Sequence, residues 1–144
     1  MSENYDFDKS EEMSVPMEED QELKVAQRAE ELALDLGFDR NTIDEMKLAL
    51  IEAVINAFEH SKSAERKVFI TFGLSLKMRQ LTIIIRDYGS GFDPETVETP
   101  DIAKKMTKGS YKRGWGLKLM HSLMDEVKIH SSAKGTQVTL VKRG

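Results

Sequence analysis

Apolar residues recur at helical spacing twice in the first half of the chain and at strand spacing afterwards, so the pattern itself proposes an order of elements. Glu12-Met-Ser-Val-Pro16 reads as a short first strand closed by its proline. Glu18 to Leu36 puts Leu23, Ala26, Ala29, Leu32, Ala33 and Leu36 on one side of a helix that stops at Gly37. Asn41-Thr42 opens a second helix running to about Ser61. Val68–Phe72 and Gln80–Ile85 follow as strands of an antiparallel hairpin turning through 76–80, and the second, apolar on both faces, is expected at the centre of the sheet. Residues 93 to about 113 hold Pro94, Pro100 and a lysine-rich end, and read as a long loop with a helical turn or two. Trp115 to Val127 is predicted as a third helix burying Leu117, Leu119, Met120, Leu123, Met124 and Val127, with Val127–Ile129 and Gln137–Val141 completing the sheet. The implied fold is α+β, a two-layer sandwich of a mixed, mostly antiparallel sheet with helices on one face.

Composition narrows the function classes. At 144 residues and 40% hydrophobic content the chain suits one core, so a single domain over 12–144 is expected. The lack of cysteine excludes disulfides, thiolate zinc sites and cysteine nucleophiles, and agrees with a reducing cytoplasm. No apolar run approaches a membrane span and the acidic start does not resemble an export signal, so a cytoplasmic protein is expected, off the membrane. The net charge of −4 is uneven: residues 1–20 carry eight acids against Lys9, or −7, leaving +3 on the rest. A mildly basic body suits a small anionic ligand and lacks the dense basic patch of a nucleic-acid binder. Residues 1–11, polar and aperiodic, are expected to be a disordered acidic tail.

Three segments carry candidate chemistry. On the second helix, Glu52, Asn56, Glu59 and His60 fall within an arc of roughly 100°, opposite Leu50, Ile51, Val54, Ile55 and Phe58. An asparagine carbonyl is a hard neutral ligand suited to magnesium, and a glutamate one turn away is placed to act as a base in phosphoryl transfer. A solvent-facing stripe would show the same four residues. The second segment is Arg86-Asp87-Tyr88-Gly89-Ser90-Gly91-Phe92, at the end of the most apolar strand. Asp87 can accept a hydrogen bond from adenine's exocyclic amine, while Gly89 and Gly91 let the backbone approach a flat ligand or simply supply a turn with positive φ. A dinucleotide-binding loop is unlikely in this segment, since no helical pattern starts after Gly91 and Pro94 intrudes. The third, Lys108-Gly109-Ser-Tyr-Lys-Arg113-Gly114-Trp115-Gly116-Leu117-Lys118, runs into the third helix. Free amides at a glycine-assisted helix start bind phosphate, and Lys108, Lys112 and Arg113 add charge; a flexible linker is the plainer alternative.

Taken together, Glu52-x-x-x-Asn56-Ala-x-x-His60, Asp87-x-Gly-x-Gly91-Phe92 and Gly114-x-Gly116-Leu117 resemble the three ATP-site boxes of the GHKL (Bergerat-fold) ATPases. Their separations, together with Met124-Asp-Glu-Val127 and Gly135-Thr136 before the last strand, are most similar to the anti-sigma-factor serine/threonine kinases of the RsbW type, over roughly 12–143. The resemblance implies ATP and Mg²⁺, with Glu52 as catalytic base, Asn56 as the magnesium ligand, and Asp87 and Thr136 at the adenine. It further implies a hinge at Gly91, a lid over about 93–113 and phosphate contacts from the 114–118 amides. His60 is expected to be structural, and Glu59 and Trp115 carry no assigned role beyond Trp115's place in the phosphate segment. The implied function is an ATP-dependent protein kinase that binds a sigma factor and phosphorylates a STAS-type antagonist, with Arg28 on the first helix a candidate partner contact and a homodimer the implied assembly. The alternative is a non-catalytic ATP-gated binding module of the same fold.

Overall fold

The computed structural model describes residues 7–61, 66–88 and 108–144, with backbone alone at His60 and 108–115. The elements are β1 (Lys9–Pro16), α1 (Gln21–Asp35), α2 (Arg40–His60), β2 (Lys67–Ser75), β3 (Gln80–Asp87), α3 (Lys108–Leu123), β4 (Glu126–Ser132) and β5 (Gly135–Arg143). Their five strands form one sheet in the order β1-β2-β3-β5-β4, antiparallel at every described pairing. β3 is central, as its apolar sequence predicts, with both of its edges paired, to β2 and to β5.

Strand register sorts the faces. The row Met13, Ile70, Ile85, Val138, Ile129 and the parallel row Phe72, Ile83, Leu140 point toward the helices. There they meet Val25, Ala29 and Leu32 of α1 and Ile43, Met46, Leu50 and Val54 of α2 in one core. The opposite face stays open as a groove of about 930 Å³, where Phe69, Thr71, Ile84 and Arg86 are only half-buried. On that face the Arg86 guanidinium lies 4.9 Å over the Tyr88 ring, and Phe69 meets that ring edge-on.

Helix ends show where local signals hold. α1 closes at Gly37, φ +81°, with Gly37 N–H donating to Leu34 O and Phe38 N–H to Ala33 O. It starts at Gln21 instead of Glu18, because Asp20 takes a left-handed φ of 72° and breaks the helix there. α2 is capped by Asp39, whose side chain accepts from Thr42 N at 2.8 Å, so the true cap stands two residues before Asn41.

Two expectations are corrected. The acidic segment 1–11 is not all tail: β1 begins at Lys9, Asp8 bonds Leu74 O and Leu76 N, and the Phe7 ring occupies the notch at Gly73, where a β-carbon would come within 2.3 Å of it. Glu11 is thereby set against Arg28 at 2.5 Å, tying β1 to α1, and Arg28 also pairs with Glu31. Arg28 is therefore already engaged within the chain. The third helix is also misplaced in the pattern: it spans Lys108–Leu123, not Trp115–Val127. At its end Lys142 Nζ donates to Leu123 O at 2.5 Å and to Glu45 Oε1 at 3.2 Å, while Asp125 N–H donates to Val141 O, drawing Val127 into β4.

Candidate functional site

α2 carries the polar stripe beneath α3, and packing divides its members. Ala53 and Val54 enter the core, whereas Glu52 and Asn56, one turn apart, turn toward Gly116 of α3. A β-carbon at residue 116 would lie 2.7 Å from Asn56 Nδ2 and 2.8 Å from Glu52 Oε2, so α3 approaches both groups as closely as glycine allows. Both amide atoms of Asn56 are shielded from solvent and have no hydrogen-bond partner among the described residues. Burying such a group unpaired costs about 1–3 kcal/mol, so Asn56 is a candidate ligand-binding group rather than part of a wet helix face. Glu59, by contrast, is exposed, and the side chain of His60 lies outside the described residues.

The donor set fits magnesium. A buried carboxamide oxygen supplies one hard neutral ligand with a carboxylate beside it, and no cluster of three or more His, Cys, Asp or Glu stands among the described residues. A single side-chain ligand suits an ion that completes its shell with water and phosphate oxygens.

The second half of the site lies at the ends of β3 and β5. Asp87 and Thr136 are register partners, each 5% exposed. Gly135 makes their approach possible: its φ is +133°, and a β-carbon there would stand 2.1 Å from the Asp87 carbonyl oxygen. Between these residues and the helices lies a cavity of about 30 Å³. Its walls include Asn56, Ala53 and Ala57 of α2, Ile85 and Asp87 of β3, and Leu117 and Met120 of α3. That is room for roughly one water, far below the 300 Å³ or more of a typical ligand pocket, because α3 rests directly on α2.

Glu52, Asn56, Asp87, Gly116, Leu117 and Thr136 are thus brought together from four elements. Gly89 and Gly91 lie outside the described residues, as do residues 93–107 of the lid expected over about 93–113, whose remaining residues fall in α3. The glycine pair of α3 is placed differently from expectation: Gly114 and Gly116 sit in the second and third turns, where amides face the preceding turn, and the free amides belong to the turn beginning at Lys108 and Gly109. Glycine inside a helix costs about 1 kcal/mol, so sequence pattern reads it as a helix end; at 116 the crossing with α2 requires it. The side chains of Arg113 and Trp115 are outside the description. The apolar walls Ile85, Val138 and Ile129 were missed as site residues, although Ile85 stands two positions before Asp87 and so shares its face.

Residues 15–142 match the family model of the histidine kinase-like ATPase domain. The serine-protein kinase RsbW of Bacillus velezensis is 30% identical over 138 residues, covering 91% of this chain and 83% of that protein. The chain belongs to the RsbW-type serine-protein kinases. A second RsbW, from Oceanobacillus iheyensis, is 30% identical over 67% of this chain and 63% of its own length. The fold agrees as well: the structure of the RsbU and RsbW domains of a Mycobacterium tuberculosis protein superposes with a TM-score of 0.68 at 19% identity. The match spans 94% of this chain and 32% of that one. As an RsbW-type member the chain is an ATP-using kinase of the GHKL fold, and its five-stranded antiparallel sheet is in keeping with that fold.

Proposed function

We propose that the chain is an anti-sigma-factor kinase that binds Mg·ATP between α2, α3 and the ends of β3 and β5, and phosphorylates a serine or threonine of a STAS-type antagonist. In a second state it holds a sigma factor. The observation that carries this reading is that Asn56, which meets Gly116 together with Glu52, lines the same cavity as Asp87 and Thr136. Glu52 and Asn56 then serve the phosphates, and Asp87 and Thr136 the adenine.

In this reading the adenine amine donates to Asp87, and the apolar rows above and below hold the ring. Asn56 Oδ1 would hold a magnesium ion on the triphosphate, where it would neutralise charge, and Glu52 would stand beside it with its carboxylate left for the proton. The acceptor hydroxyl loses its proton to Glu52 as its oxygen bonds the γ-phosphorus, the bridging P–O bond breaks, and ADP leaves. By the family resemblance Lys108, Gly109, Arg113, Gly114 and Trp115 are assigned to the phosphate segment, and Gly89 and Gly91 to the turn that follows Asp87. The unit is one domain that takes in β1 from Lys9 onward, working in the bacterial cytoplasm without direct contact to nucleic acid. Among the described residues no helix is long and apolar enough to cross a membrane. A second copy completes the assembly, a homodimer that equilibrium sedimentation checks.

The deciding experiment is transfer from labelled ATP to candidate antagonists with wild-type chain and Glu52→Gln. Glu52→Gln should bind Mg·ATP near normally while transfer slows by about 10²–10⁴. Wild-type rates in the mutant overturn Glu52 as base. One observation favours a second reading, an ATP-gated binding module: α3 closes the cavity to about 30 Å³, so nucleotide must lift it, and that motion alone can change partner affinity. Nucleotide-dependent partner binding without phosphate transfer selects this module.

A further inference from the structure

The polar rim of the cavity is one row of register partners. Asp87 of β3 stands opposite Thr136 of β5, which stands opposite Ser131 of β4. One step further from the rim, Ile85, Val138 and Ile129 make the same crossing in apolar residues, so the sheet presents an apolar floor edged by three polar groups. Thr136 and Asp87 line the cavity, whereas Ser131 meets Thr136 from behind, the two hydroxyl oxygens lying 3.1 Å apart.

A hydroxyl carries one proton, and its partner decides where that proton goes. Either oxygen can donate across this contact; when Ser131 donates to Thr136 Oγ1, the Thr136 proton is left to point into the cavity. The rim then shows an acceptor, the Asp87 carboxylate, beside a donor, the Thr136 hydroxyl. That is the complement of adenine, whose 6-amino group donates next to an accepting N1. In a 6-oxopurine the order is reversed, with a carbonyl beside a donating N1–H.

We propose that Ser131 is a positioning residue: through its hydroxyl contact it sets the polarity of Thr136 and so the preference for adenine over 6-oxopurine nucleotides. It touches no base itself, and the proposal rests on the ATP-binding reading above. Unlike Asp87 it lies outside the three boxes, and unlike Thr136 outside the Gly135-Thr136 pair, and the cross-strand register of β4 with β5 is what exposes it.

The test is calorimetric titration of the full chain with Mg·ATP and Mg·ITP, for wild type, Ser131→Ala and Ser131→Thr. Ser131→Ala should weaken ATP roughly three- to tenfold, the worth of one hydrogen bond, and change ITP much less, so that the ratio of affinities narrows. Ser131→Thr keeps the hydroxyl on a residue that suits a strand, and should restore the ratio. A wild-type ratio in Ser131→Ala, whether both affinities stay or both fall by one factor, overturns the proposal, as does a narrowed ratio that Ser131→Thr fails to restore. Failure of the wild-type chain to bind ATP at all overturns the nucleotide reading instead. Unfolding curves of the unliganded variants separate either result from loss of fold.

Discussion

Gly116 of α3 stands so close to Asn56 of α2 that a β-carbon at 116 would reach 2.7 Å from Asn56 Nδ2. One glycine thus decides how near the third helix lies to the metal and base positions. Helix propensity alone predicts that Gly116→Ala stabilises the chain by about 1 kcal/mol. The crossing predicts the opposite for function: Asn56 and Glu52 must both be displaced, so Gly116→Ala should lose that gain and bind Mg·ATP more weakly. Denaturant unfolding with and without Mg·ATP checks both parts, and a more stable variant with unchanged affinity would remove the crossing from the site.

Asp87 offers a second check because it is buried, faces Thr136 and ends the central strand. With ligand at 100 times its Kd, wild type should gain about 2.7 kcal/mol of stability from Mg·ATP. Losing a hydrogen bond to a charged acceptor costs about 1.5–3 kcal/mol, so Asp87→Asn at the same ligand concentration should lose most of that gain. Thermal melts of the two proteins, each with and without nucleotide, measure it.

Gly135 is tested through the backbone. Any side chain there meets the Asp87 carbonyl at 2.1 Å in a conformation, φ +133°, that L-residues rarely adopt. Gly135→Ala should destabilise the unliganded chain by about 2–3 kcal/mol, since the β3–β5 pairing has to open to admit it. Gly37→Ala is a useful control, as its φ of +81° is also strained but its β-carbon would meet only the Arg79 guanidinium at 3.4 Å. It should cost less.

The link between β1 and α1 depends on pH. The Arg28 guanidinium, through its hydrogen bonds and then its charge, holds the Glu11 carboxyl below its ordinary value of 4.5. A carboxyl depressed in the folded state adds stability above the unfolded value and loses it as pH falls through the folded one. Glu11→Gln should therefore melt below wild type near neutral pH, by the small margin of a partly exposed pair, and the two melting points should converge on acidification below about pH 4. Melting curves at matched ionic strength test this, and an undiminished gap in acid would show that the ion pair is not its source.

Local chemistry made much of the fold legible. The apolar stripe of α1 and its stop at Gly37, the start of α2 to within two residues, the β2–β3 hairpin and the central place of β3 all follow from side-chain period and turn residues. The signals that failed were those whose competitor lay far away in sequence. Glu11 reads as part of an acidic tail until Arg28, 17 positions on, claims it. Gly114 and Gly116 read as a helix start until α2 is known to pass beneath them, and Val127 reads as helical until β5 captures the preceding residue.

The candidate site divides along the same line. Sequence alone determined that Glu52 and Asn56 share a helix face, because their spacing is set by the helix itself, and that Asp87 ends a strand among glycines. Which of the stripe's members are buried was decided only in three dimensions: the closeness of α3 separates Glu52 and Asn56 from the exposed Glu59. So was the row of Asp87, Thr136 and Ser131, since strand register joins residues 44 positions apart through backbone hydrogen bonds that no local pattern encodes.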